Sequence, residues 1–125
     1  MVQRFPPPGA LSELLGRKAA PTAIVTPSDW SIRLVARELQ TLGFQIPDDM
    51  SLVGFGGVPG EFSAGRRFAS VTCDFQALGR RAAELAVRAV TGAGKPERTV
   101  LPAQFTPNES VARPVIRELA GAGKQ

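Results

Sequence analysis

The most regular alternation of apolar and polar positions runs from Trp30 to Leu42. Ile32, Val35, Ala36, Leu39 and Leu42 recur at steps of three and four, while Arg33, Arg37, Glu38 and Gln40 fall elsewhere. That spacing predicts an amphipathic helix, because a turn of about 3.6 residues gathers such positions into one stripe. Ser28 or Asp29 stands where a side-chain oxygen accepts from the open amides of a first helical turn. Gly43 stands where helices end in left-handed backbone. Short β-branched runs flank the helix: Thr22-Ala-Ile-Val-Thr26, between Pro21 and Pro27, and Met50-Ser-Leu-Val-Gly-Phe55, after the Pro47-Asp-Asp49 turn. Both read as buried strands. Strand, helix, strand is a βαβ unit, which predicts parallel pairing with a right-handed crossover.

A second amphipathic helix is predicted from Phe75 to Thr91, with Leu78, Ala82, Leu85, Ala86, Ala89 and Val90 on one side and Gly92-Ala-Gly94 ending it. Leu11, Leu14 and Leu15 allow a short helix between the Pro6-Pro-Pro8 run and Gly16. Gly56 to Ala69 contains Gly57, Gly60, Gly65 and Pro59 and is expected to be a loop. Ser70-Val-Thr-Cys73, Thr99-Val-Leu101 and Gln104-Phe-Thr106 are further short strand candidates. Residues 1–20 read as an N-terminal extension with a short helix, and residues 113–125 as a flexible tail. There is no internal repeat.

Composition narrows the chemistry. The 125 residues are 43% hydrophobic and 21% charged, an ordinary globular mixture of one-domain length. There is no His, no Tyr and a single Cys, Cys73. A Ser-His-Asp triad, a Cys-His pair, an H-E-x-x-H zinc site and a Cys-rich zinc module are therefore excluded within these residues. A lone Cys forms no internal disulfide, which makes a reducing cytoplasm the expected compartment. The net charge of +4 invites a nucleic-acid reading, but the basic residues are dispersed. They pair only at Arg17-Lys18, Arg66-Arg67 and Arg80-Arg81, which suits a solvated surface better than a DNA patch. No apolar run approaches the roughly 18 residues needed to span a bilayer, and the first residues lack a signal-peptide core, so no membrane partner is expected.

Few residues carry candidate chemistry. The Gly54-Phe-Gly-Gly57 segment follows a strand but matches neither G-x-G-x-x-G nor a Walker motif, so a structural turn is the better reading than a phosphate cradle. Asp48-Asp49, and Asp74 with Glu84, offer too few ligands for a metal, and Asp is a common turn former. Cys73 sits beside Asp74, whose charge disfavours a thiolate. No catalytic residue, cofactor or metal is expected, and the chain is read as no enzyme. Trp30, the only Trp, follows a strand's carboxyl end. There it shares a rim with Ser28, Asp29, Gly56 and Gly57, the usual ligand position of an open α/β sheet. That Trp30 caps the core or contacts a second subunit is the equal alternative.

The order of these segments carries a resemblance. Pro21-Thr-Ala-Ile-Val-Thr-Pro-Ser-Asp29, the helix end Leu39-Gln-Thr-Leu-Gly43, and Ile46-Pro-Asp-Asp-Met-Ser-Leu-Val-Gly-Phe55 resemble the second half of a lactose-repressor/galactose-repressor (LacI/GalR) type regulator. Phe68-Ala-Ser-Val-Thr-Cys-Asp-Phe75, Leu78-Gly-Arg-Arg-Ala-Ala-Glu-Leu85 and the closing Leu101-Pro102, Phe105 and Glu109-Ser110 continue it. The resemblance covers about residues 21 to 112.

It implies a partial periplasmic-binding-protein-like (type I), Rossmann-like α/β fold: a parallel sheet flanked by helices, incomplete relative to the family. In the family two such lobes enclose a cleft for a sugar or related small-molecule effector, whose binding shifts the operator affinity of a separate helix-turn-helix. The few residues before Pro6 are too short for that module, so operator DNA is expected as a partner only through an absent N-terminal domain. The implied effector-binding residues are Ser28, Asp29, Trp30, Gly56, Cys73, Phe75 and Leu78. Ser28 stands where the family has Asn, and Gly56 where it has an Asp that accepts from sugar hydroxyls. Trp30, Arg33, Leu34, Arg37 and Val58 are the implied dimer contacts. The Phe75 to Thr91 helix would pack on a lobe mostly missing here, and its apolar stripe needs another partner. A homodimer or a swapped oligomer is therefore expected. The alternatives are a fragment of a periplasmic-type sugar-binding protein, a dimerisation scaffold without an effector, and a phosphate-handling α/β enzyme.

Overall fold

The computed structural model describes residues 7, 9–17, 19–57, 60–63, 65–93, 95 and 97–114. Helix α1 (Ala10–Leu15) precedes strand β1 (Ala23–Val25) and helix α2 (Asp29–Thr41). Strand β2 (Ser51–Phe55), the short strands β3 (Glu61–Ser63) and β4 (Arg66–Arg67), strand β5 (Ala69–Cys73), helix α3 (Phe75–Val90) and strand β6 (Ala103–Thr106) follow.

Helix α2 begins at Ser28 for a local reason. The Ser28 hydroxyl accepts from the Ser31 backbone N–H at 3.1 Å, and the Ser31 hydroxyl accepts from the Ser28 N–H at 3.2 Å. This reciprocal pair satisfies two amides that the first turn leaves open. The helix ends at Leu42, where Gly43 takes a φ of +83°, a backbone that glycine adopts without a Cβ penalty. Ile32, Val35, Ala36 and Leu39 are buried as their spacing predicts, while Leu42, at the last turn, stays exposed.

The sheet runs β1-β2-β5-β6. β1 pairs with β2, and β2 with β5, in parallel, whereas β5 and β6 are antiparallel. The βαβ expectation is thus met, in a mostly parallel sheet. Leu52 packs with α2 and α1 on one face, in a core of Leu11, Ile32, Val35, Leu39, Ile46, Met50 and Phe68. The register places Val25 beside Val53, and Phe55 and Phe105 both beside Val71, on the opposite face. Val25, Phe55 and Phe105 remain exposed there.

Three expectations need correction. β1 is not a buried strand: Ala23 and Val25 are exposed and Ile24 is half-buried, because it lies at the sheet's edge. The Gly56 to Ala69 segment is not wholly loop: β3 and β4 form a small antiparallel hairpin. Phe62 anchors it, its ring 5.2 Å from that of Phe68 and under the Arg66 guanidinium, so the hairpin arises from tertiary packing rather than from a two-residue pattern. Its far side is tied by the Arg67 N–H, which donates to Glu109 Oε2 at 2.8 Å and holds that carboxyl below its ordinary pKa. Thr99-Val-Leu101 is not a strand either. Arg81 of α3 donates to Thr99 Oγ1 at 3.1 Å and pairs with Glu97, so this segment runs along α3 and the strand starts only at Ala103.

Helix α3 is capped by Asp74, whose carboxylate accepts from the Ala77 N–H at 2.8 Å. None of its residues is buried: Leu78, Val87 and Val90 are all exposed. Its apolar stripe thus stays largely exposed among the described residues, with only Leu85 half-buried. Most of the expected tail from Arg113, together with Pro6 and Pro8, lies outside them.

Candidate functional site

β1 and β2 are parallel neighbours, so their carboxyl ends, with the first turn of α2 between them, form one rim. A cleft of about 660 Å³ opens there. Pro27, Ser28, Asp29 and Trp30 line it from the β1–α2 junction, with Arg33 one turn further on. Phe55 and Gly56 close it from the end of β2, and Phe75 reaches it from the start of α3.

Asp29 is the fixed polar point. It is 92% removed from solvent, at 8% relative exposure, and its Oδ1 accepts from the Ser70 hydroxyl at 2.8 Å. The Ser70 hydroxyl in turn accepts from the Gly57 N–H at 3.2 Å. This chain ties the loop after β2, strand β5 and helix α2 together beneath the cleft. Two glycines make room for the carboxylate. A Cβ on Gly54 would collide with Asp29 Oδ1, and one on Gly56 would lie 3.3 Å from Oδ2 at a φ of +129°, which L side chains rarely adopt. The Ser28 hydroxyl is spent on the helix cap.

The rest of the wall is aromatic. Phe55 and Phe75 meet edge to face, with centroids 6.3 Å apart and planes at 85°, and Trp30 is 69% exposed. Five of the seven residues expected at an effector site, Ser28, Asp29, Trp30, Gly56 and Phe75, therefore share this cleft. Cys73 and Leu78 are not among its lining: Cys73 is half-buried on β5 opposite Ala103, and Leu78 lies on α3 a turn beyond Phe75. Sequence reasoning missed Pro27 and Phe55 as lining, and Ser70 and Gly54 as supports. Of the expected interface residues, Trp30, Arg33 and Arg37 stand exposed along α2 and Leu34 is half-buried, whereas Val58 lies outside the described residues. Among the described residues no group of three or more Cys, Asp or Glu could hold a metal ion. No helix there is long and apolar enough to cross a membrane.

A sequence-family model for the periplasmic binding protein-like domain matches residues 6–111. The chain belongs to this family. As a periplasmic binding protein-like domain it also matches solved LacI-family regulators over most of its length. One, from Bifidobacterium animalis subsp. lactis, superposes with a TM-score of 0.67 at 22% identity, over 85% of this chain and 39% of that one. The transcriptional regulator CelR in complex with cellobiose gives 0.66 at 29% identity, over 82% of this chain and 32% of that one. A LacI-family regulator from Arthrobacter sp. FB24 in complex with lactose gives 0.62 at 26% identity, over 82% and 40%. This periplasmic binding protein-like chain thus spans about a third to two fifths of the length of these structures. No curated protein matches it.

Proposed function

We propose that these residues are part of the effector-binding domain of a LacI-type transcriptional regulator, non-enzymatic and cytoplasmic, that takes a small molecule of the sugar class. The observation that carries this reading is the cleft at the carboxyl ends of β1 and β2, with Asp29 held at its base and aromatic rings around it. The cellobiose and lactose complexes, at 29% and 26% identity, support the ligand class. Operator contact would fall to a separate helix-turn-helix segment, not to these residues.

Titrating a panel of mono- and disaccharides while following Trp30 emission tests the reading, since the indole lines the cleft. At least one sugar is expected to give a saturable change, matched by heat in calorimetry. Silence throughout the panel in both measurements overturns it.

Self-association belongs to the same reading. Trp30, Arg33 and Arg37 recur along one side of α2 beside Leu34, and the exposed stripe of α3 adds apolar surface of the kind that marks contacts. Light scattering at high micromolar concentration is expected to give twice the chain's 13.2 kDa mass or a larger multiple. A stable monomer there removes dimerisation from the proposal.

A further inference from the structure

The cleft carries much exposed ring surface and few uncommitted polar groups. Trp30 is 69% exposed, Phe75 50% and Phe55 39%, so three aromatic rings face solvent around one opening. The polar side chains beside them are already engaged. The Ser28 hydroxyl caps α2, Asp29 accepts from Ser70, and Arg33 has an interaction partner of its own. Gly56 contributes no side chain at all. A free sugar can lay one C–H face on a ring, but it carries a hydroxyl on most of its carbons, and each one buried here without a partner weakens binding. An aromatic ring has the opposite needs: it loses water from both faces and gains from edge or offset contact with other rings, at centroid distances of roughly 4.5–7 Å. Phe55 and Phe75 already stand in that arrangement at 6.3 Å. A third ring beside Trp30 extends it.

From this chemistry we infer that the effector presents an aromatic ring to this wall, seated against Trp30, Phe55 and Phe75. The inference rests on the effector reading above and specifies which part of the effector this wall recognises. The ring can belong to an aryl glycoside, which keeps a sugar moiety for other contacts, or to a free aromatic compound.

The test uses the whole chain and four probes: glucose, cellobiose, phenyl β-glucoside and phenol, each followed by calorimetry and by Trp30 emission. Phenyl β-glucoside is expected to bind at least about tenfold more tightly than glucose. Phe75→Ala is expected to bring the two close to parity while the circular dichroism stays unchanged, because Phe75 is half exposed at the first turn of α3. Binding of the glycoside alone identifies an aryl glycoside as the source of the ring, whereas binding of phenol with every sugar silent identifies a free aromatic effector and overturns the sugar class proposed above while the ring inference stands. If glucose or cellobiose binds as tightly as phenyl β-glucoside, the ring inference falls and the sugar-effector reading stands. If none of the four probes and no member of the wider sugar panel binds, the effector reading falls and takes this inference with it.

Discussion

Gly54→Ala is expected to destabilise the protein by about 2–4 kcal/mol, seen as a lower urea midpoint with an unchanged slope. The added methyl would collide with Asp29 Oδ1 and lie 3.3 Å from Asp29 Cγ. A carboxylate at the end of an exposed side chain would swing aside at little cost. Asp29 is buried at the start of α2 and its Oδ1 is held by Ser70, so relief requires breaking that hydrogen bond or moving the helix away from β2. Either movement also disturbs the cleft, because Asp29, Trp30 and Phe55 line it together. The cause can be isolated by a double-mutant cycle. In an Asp29→Ala background the penalty of the second substitution should shrink, since the colliding oxygen is gone. A single variant within about 0.5 kcal/mol of the parent protein would show that the carboxylate is not held as described.

Ser110→Ala is expected to act on a comparable scale, about 2–3 kcal/mol, although the change removes one oxygen atom. Ser110 is fully buried. Its hydroxyl accepts from the Ala69 N–H at 2.8 Å and donates to the Leu52 carbonyl at 2.6 Å, while its own carbonyl accepts from the Leu52 N–H at 2.8 Å. One side chain therefore joins β2 to the start of β5 and fastens the chain's return after β6. Alanine leaves the Ala69 amide without this acceptor at a fully buried position, and the desolvation of an orphaned group outweighs the mean value of a hydrogen bond. Hydrogen exchange gives a local readout alongside urea unfolding: protection of the Ala69 amide should fall more than that of amides within α2. Unchanged stability with unchanged Ala69 protection would rule the role out.

Both residues show where reading along the chain stops. Ser110 lies 58 positions from Leu52 and 41 from Ala69, and Ser70 lies 41 from Asp29, separations at which no spacing rule operates. A buried Ser and a surface Ser are alike in one dimension. Gly54 reads as a strand glycine before a turn, and nothing local says that a carboxylate from the next layer occupies the place of its side chain. The β3–β4 hairpin is a similar case, since its strands are three and two residues long, too short for a pattern, and depend on Phe62 meeting Phe68. The 99–101 segment has strand-forming residues, but Arg81 and Glu97 hold it along α3 instead.

Much of the site was nonetheless legible. Trp30, Asp29 and Gly56 are adjacent in space because strands of a βαβ unit end on the same side, a consequence of chain direction that the pattern alone reveals. Phe75 entered through the family resemblance, and Cys73 and Leu78 entered the same way without reaching the cleft. Strand polarity does not specify how a helix leaves the sheet.

By itself the sequence determined the elements whose causes are local: the α2 stripe and its serine cap, the glycine ends of the helices, and the parallel order of β1 and β2. The tertiary structure alone decided which hydroxyls and glycines hold Asp29, which rings share one opening, and that among the described residues most of the apolar face of α3 stays exposed. Local backbone preference and hydrophobic period act over a few residues, whereas burial and hydrogen-bond partnership depend on which distant segments meet, and that is settled only when the layers pack.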